Sequence, residues 1–388
     1  MPAQQVYLDY NATTPTDPQV VEAMLPFLGG DAAFGNPGRA HWAGAPAKAA
    51  IAKASEQVAQ LINATPDAIV FTSGGTESVN HAIKGITLPM FREKGRRHVI
   101  TSTIEHPASL MTCRYLQQYF DAQLDEIAVD RHGTLDLGAL RAKVTPNTAL
   151  INIMHASHEI GTLQPSREIA AIANENSVPY HIDAVCSAGK NPVDVKALGC
   201  DLLSLSGHKF YAPKGIGAIY VSRKIRDGWP GAALKEEFQP LLHGMMPKGV
   251  YRPGTPNVAA IVGMGKAAEI AYGWNTADNR AALAAKRDYL WLQLARALGN
   301  KVTRNGHSNP DYLGPNCLNV SFSGIEGDAL LARMPDMAAS SGPKTEAVVL
   351  ATGAGADTAK GAVRLSLGKH TTLEELDEAV RQFRQAVG

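Results

Sequence analysis

Short apolar runs that stop abruptly at polar residues recur along the chain. Val178–Ile182 ends at Asp183, and Asp201–Leu205 ends at Ser206, Gly207, His208 and Lys209. Asp67–Thr72, His98–Thr101 and Ala149–Met154 repeat the pattern. They end at Ser73-Gly74-Gly75-Thr76, at Ile104-Glu105-His106-Pro107 and at His155-Ala156-Ser157-His158-Glu159. Between these runs the apolar positions take a helical period. Val20, Val21, Met24 and Leu25 follow the start signal Asp17-Pro18, and Ala50, Ala54, Val58 and Leu61 share one face of a helix over 46–62. A further helix is expected from about Val79, and a long one from about Val258 with Ile261, Met264, Ala268 and Ile270. Short β-branched strands broken by helices predict a parallel sheet, since parallel strands are covered on both faces. Later in the chain Cys317–Phe322 alternates as a strand, and Thr371-Thr372-Leu373-Glu374-Glu375 starts a helix with acids in its first turn.

Length sharpens this α/β picture. At 388 residues the chain exceeds one ordinary core, so two domains are expected. A net charge of +1, from 37 basic and 36 acidic residues, leaves no electrostatic footprint for nucleic acid or an anionic membrane. No apolar run approaches a membrane span, and the first residues lack a basic-then-apolar export pattern, so a cytoplasmic protein is expected. Cys113, Cys186, Cys200 and Cys317 are scattered, with no CxxC pair and no zinc-like spacing. Neither a disulfide framework nor a metal site is expected.

Sheets of this kind bind ligands beyond the carboxyl ends of their strands. Asp183 and Lys209 are delivered there by two different runs. A lysine that can form an imine and an acid that can keep a ring nitrogen protonated suit pyridoxal phosphate. Taken alone, each residue also fits a solvated strand end. Gly74-Gly75-Thr76 before a helix suits a phosphate, because glycine admits close approach and a helix start offers free N–H groups. An ordinary strand-to-helix turn has the same appearance.

Together these stretches resemble the cysteine desulfurase and selenocysteine lyase branch of the class V aminotransferases. The likeness runs from Tyr7-Leu8-Asp9-Tyr10-Asn11-Ala12-Thr13-Thr14-Pro15 to Val363-Arg364-Leu365-Ser366-Leu367-Gly368. It implies the pyridoxal phosphate fold-type I: a large domain over 16–259 with a mostly parallel seven-stranded sheet, and a smaller α+β domain from 1–15 and 260–388. By the same resemblance Lys209 carries the imine and moves the α-proton. Gly75, Thr76, Ser206 and His208 hold phosphate, Asp183 faces the ring nitrogen, and His106 stacks on the ring. Asn11 and Arg364 bind the substrate, Arg364 as a fork on the α-carboxylate; a surface arginine on a strand is its plain alternative. The stretch Leu242–Asn257 resembles a loop that crosses to a second subunit. It implies a homodimer in which Thr255 touches the neighbour's phosphate, with Met245-Met246-Pro247-Lys248 making a more apolar wall than usual.

The chain departs from that family at three places. Ser157 and His158 stand where asparagines are common, and Cys186 stands where glutamine is usual. A thiol is a weak donor, so His158 is expected to supply the donor to the cofactor's phenolic oxygen and to join the proton transfers. Cys186 also fits a small buried hydrophobe. The third departure follows Ser340-Ser341-Gly342. The family's sulfur-accepting cysteine lies shortly after such a turn, but here Pro343-Lys344-Thr345 follows and no cysteine lies beyond Cys317. Selenocysteine lyase action without a persulfide relay is the expected function, with a selenium acceptor protein as a partner. A cysteine desulfurase-like C–S lyase or desulfinase, and a catalytically silent scaffold, are the alternatives.

Overall fold

The computed structural model describes residues 5–29, 33–227, 238–245 and 251–388. After a two-residue strand β1 (Val6–Tyr7) come β2 (Ile69–Thr72), β3 (His98–Ser102), β4 (Gln123–Ile127), β5 (Thr148–Met154), β6 (Tyr180–Asp183), β7 (Leu202–Ser206) and β8 (Gly217–Val221). These last seven form one sheet in the order β2-β8-β7-β6-β5-β3-β4. Every neighbouring pair is parallel except the two that β8 makes. Strands β3, β5, β6 and β7 are buried at every position, as the apolar runs require of strands covered on both faces. The polar edge strand β4, which carries Asp125 and Glu126, has no apolar run to announce it.

Helix Pro18–Met24 starts where the sequence places it. Asp17 caps it by accepting from the Gln19 N–H, and Pro18 fills the first turn. Helix Gly75–Lys94 begins four residues before the expected Val79, so Gly75 is itself the first helical residue. Helix Ala45–Leu61 lies against helix Val258–Trp274 at very short range. A Cβ on Gly265 would stand 2.6 Å from the Ala54 Cα. Ile261, Met264 and Ala268 therefore join Ala54, Val58 and the strands β5, β6 and β7 in the larger core.

The smaller core gathers Leu283, Leu290 and Leu294 of helix Ala277–Leu298 around β9 (Val302–Asn305), β10 (Cys317–Phe322), β11 (Met337–Ala338) and β12 (Ala362–Ser366). Strands β12-β10-β9 form an antiparallel sheet. Both faces of β10 are buried, although its sequence alternates. Its polar members are paired rather than solvated: Asn305 donates to Asn319 and to Ser321, each at 2.7 Å. Thr372 and Glu375 close a reciprocal capping box on helix Leu373–Val387.

The first residues belong to both cores. Val6 and Leu8 pack in the smaller one, and β1 pairs with β11. The Asn11 N–H then donates to Ser366 Oγ at 2.8 Å, and the Thr14 N–H to the His208 carbonyl at 3.0 Å.

Candidate active site

The carboxyl ends of β2, β3, β5, β6 and β7 open into a cleft of about 400 Å³. It is lined by Asn11, Gly75, Thr76, His106, His158, Asp183, Cys186, Ser206, His208, Lys209 and Arg364, all expected from sequence. The glycine in its lining leaves little room for a side chain: a Cβ on Gly75 would crowd Val185 Cγ2 at 3.0 Å and Ser206 Cβ at 3.2 Å. The Gly75 N–H points to Ser206 Oγ at 3.3 Å, which puts a helix start and a hydroxyl at one spot. His208 borders it, its Nδ1 3.0 Å from Thr13 Oγ1, and burial pulls its pKa down to about 4.

Asp183 ends β6 and accepts the Val185 N–H at 2.9 Å. Burial raises its carboxyl to about 6, so a cation placed against it would be strongly held as its counter-charge. Beneath it, Glu105 is fully enclosed. It accepts from Ser102 Oγ at 2.7 Å and the Met154 N–H at 2.8 Å, and burial pushes it up to about 8. His106 caps helix Pro107–Phe120 by accepting the Ala108 N–H on Nδ1 at 3.1 Å. A neutral His106 therefore carries its proton on Nε2. Burial, with Lys344, Lys209 and Arg364 nearby, lowers it to about 4. His158 meets its ring edge-on at 5.2 Å between centroids. Both nitrogens of His158 are buried and make no hydrogen bond among the described residues, although Nε2 lies 3.4 Å from Glu159 Oε1, and burial keeps the ring neutral. Lys209 donates to the Asn11 and Ala12 carbonyls, the latter at 2.8 Å.

Arg364 lies on the opposite wall, and its donors are already engaged. One terminal nitrogen donates to Glu159 Oε1 at 2.8 Å and to the His158 carbonyl; the other donates to Asp9 Oδ1 at 2.9 Å and Ser340 Oγ at 2.8 Å. Of its five N–H donors only Nε is left without a partner. Glu159 uses its second oxygen to accept from Thr345 Oγ1 at 2.7 Å. Asn11 is equally committed: its amide donates to the His158 carbonyl at 3.1 Å and accepts from Lys190 Nζ at 3.3 Å and Asn316 Nδ2 at 2.9 Å. Lys190 is a buried cation that no carboxylate pairs with among the described residues, and burial brings it down to about 8.

Residues 6–379 match the family described as Aminotransferase class-V. The chain belongs to that family. It is 41% identical to the cysteine desulfurase IscS of Pectobacterium carotovorum subsp. carotovorum, over 99% of this chain and 93% of that protein. The IscS of Salmonella typhi is equally similar, with the same coverage. Among solved structures, a NifS-like protein superposes with a TM-score of 0.88 at 33% identity, covering 98% of this chain and 99% of that one. Members of this class V family use pyridoxal phosphate, and the chain is a cysteine desulfurase-like enzyme with that cofactor. The residues present fit it. A cradle that a Cβ would crowd lies in the cleft, with a buried carboxylate that has no ion-pair partner among the described residues, and a lysine and an imidazole without a hydrogen bond among those residues line the same space.

Thr255 is exposed and stands outside the cleft of its own chain. Met246–Lys248 lie outside the described residues, and Met245 is exposed. Of the four cysteines only Cys186 reaches the cleft, its Sγ 4.0 Å from the Asn11 carbonyl. Cys113, Cys200 and Cys317 are enclosed, and burial raises all three thiols. Ser157 holds a turn, accepting N–H groups of Glu159 and Ile160, and lies outside the cleft lining. Sequence reasoning missed Asp9, Glu159, Lys190, Ser340, Lys344 and Thr345. Asp9 and Glu159 sat inside stretches already singled out, but nothing in one sequence shows that two acids 150 positions apart share one arginine.

Proposed function

We propose that the enzyme splits the Cβ–heteroatom bond of an amino acid without a thiolate relay, and that L-selenocysteine, converted to L-alanine and released selenium, is its substrate. The observation that carries this reading is the connection after Ser340–Gly342. It passes directly into helix Pro343–Ala351, with Thr345 tied to Glu159, and no cysteine follows Cys317 in the chain.

Bound pyridoxal phosphate supplies a carbonyl for the substrate amine and a ring that accepts electrons. In this reading Gly75, Thr76, Ser206 and His208 hold its phosphate, and Asp183 keeps the ring nitrogen protonated. Thr255 of a second copy completes the phosphate site, which makes the enzyme a homodimer. Lys209 attaches the cofactor and moves the substrate α-proton. His106 packs on the ring and offers Nε2–H. His158, whose ring nitrogens make no hydrogen bond among the described residues, would donate at the phenolic oxygen in place of the weak donor Cys186 and would give a proton to the β-carbon as selenium departs as the neutral element, the C–Se electron pair staying with carbon. Arg364 and Asn11 orient the substrate carboxylate. Near neutral pH a selenol is ionised, whereas a free thiol with a pKa of about 8.5 is mostly protonated. Selenium can therefore leave with proton transfers alone, and an acceptor protein in the cytoplasm takes it up.

A cysteine desulfurase-like C–S lyase or desulfinase is the second reading, favoured by relatives named cysteine desulfurase at 41% identity. Alanine and chalcogen release from selenocysteine, cysteine and cysteine sulfinate, measured side by side, separates the two. Selenocysteine should turn over at least about tenfold faster than cysteine, and replacing Cys113, Cys200 and Cys317 should leave that ratio intact. Equal rates with cysteine and selenocysteine would defeat the selenium assignment.

A further inference from the structure

Resting on the reading of this cleft as an amino-acid lyase site, we infer that Lys344 is a specificity residue that binds a second anionic group on the substrate, carried by its β-carbon. Lys344 lines the cleft, yet it makes no hydrogen bond or ion pair among the described residues. Its neighbours are fixed. Thr345 is buried and donates to Glu159, Ser341 donates to Asp328, and Ser340 bridges Arg364 and Asp9. The helix start that carries Lys344 is thus anchored at three points, which fixes where this exposed side chain is rooted on the cleft lining.

The charges around it give this position its purpose. Arg364 is paired with two carboxylates, Asp9 and Glu159, so that trio carries a net negative charge. It offers one N–H and a favourable fit to a single α-carboxylate, but no surplus cation for a second acid. Lys209 is spoken for by its bonds to the Asn11 and Ala12 carbonyls and by its covalent role. Lys344 remains the unpaired cation of the cleft lining. It acts on His106 more strongly than Arg364 does, whereas Arg364 outweighs it at His158. Both cations line the same cleft as the two imidazoles. A substrate bound with its α-carboxylate toward Arg364 would turn its β-substituent toward Lys344. Substituents that suit this arrangement are anionic: a selenolate, a sulfinate or a carboxylate.

The test is ligand binding to the cofactor-loaded enzyme, followed through the cofactor's absorbance, with cysteate, aspartate, alanine and S-methylcysteine as probes. Wild type should bind the two acids more tightly than the two neutral side chains. Lys344→Met should weaken cysteate and aspartate by about tenfold or more, the loss of one charge-assisted hydrogen bond, while alanine and S-methylcysteine change less than about twofold. Lys344→Arg should restore acid binding. An equal loss for all four probes would assign Lys344 to the α-carboxylate and overturn the proposal, as would unchanged binding of the acids. If the four probes still perturb the wild-type cofactor in those cases, the lyase reading stands without it. If no amino acid perturbs the wild-type cofactor, both fall. Lys344 is exposed, so an unchanged melting curve for the variants is expected.

Discussion

The two walls of the cleft are built on opposite principles. The wall formed by the sheet ends leaves polar groups waiting: neither nitrogen of His158 makes a hydrogen bond among the described residues, the buried Asp183 carboxyl has no ion-pair partner among them, and Gly75 brings bare backbone to the cleft. The wall formed around Arg364 is saturated, with Asp9, Glu159, Ser340 and Thr345 satisfying one another. Groups left unpaired in a dry site are costly unless a ligand completes them. The first wall is therefore shaped by what it will bind. The second is a closed network that would form without any ligand, and it places residues rather than awaiting them.

The sharpest way to break this contrast is to remove the lysine at the waiting wall. Lys209→Ala should abolish turnover and the cofactor's imine absorbance while leaving the urea midpoint of the apoprotein close to wild type, because its bonds reach only backbone carbonyls. Retained turnover, or cofactor attached at Lys214, would refute the assignment. Asp183→Asn should lower kcat at least about a hundredfold, comparable to losing one preorganised electrostatic partner. A near-normal rate would mean that another group serves the ring nitrogen. The smallest catalytic effect and the clearest loss of stability are expected at the saturated wall. Glu159→Gln removes a charge shared by Arg364 and Thr345, and should cost about 2 kcal/mol in urea unfolding. It should raise KM with little change in kcat. A stability-neutral Glu159→Gln would show that the network is not a structural unit.

The same contrast decides what could be read from the sequence. The waiting wall is assembled from strand ends, and each end is a contiguous signal: an apolar run followed at once by Asp183, His106, His158 or Lys209. The parallel sheet follows from those runs as well. Strand β4 stayed hidden because an edge strand with half-buried acids has no apolar pattern to detect. The strand-to-helix turn at Gly75 was legible, but the helix start was misplaced, since Thr76, Glu77 and Ser78 carry no hydrophobic periodicity. Helix Val258–Trp274 is apolar on nearly every face, so its sequence could not say which core would claim it; close contact at Gly265 and Ala54 settles that. The saturated wall was illegible for a different reason. Asp9, Glu159, Thr345 and Arg364 come from four segments, and only tertiary structure brings them together.

The N-terminal segment that stitches the two cores also fixes when the enzyme becomes competent during synthesis. Asn11, whose carbonyl holds Lys209, donates its own N–H to Ser366, 355 positions downstream. At about 5–20 residues per second, residues 5–14 leave the ribosome and then wait roughly 20–70 s for β11, β12 and Ser366 to exist. The larger sheet can close well before that. A nascent or C-terminally shortened chain thus presents the strand-end chemistry without the segment that seats its lysine. The lysine's seat is completed only after Ser366 has been made.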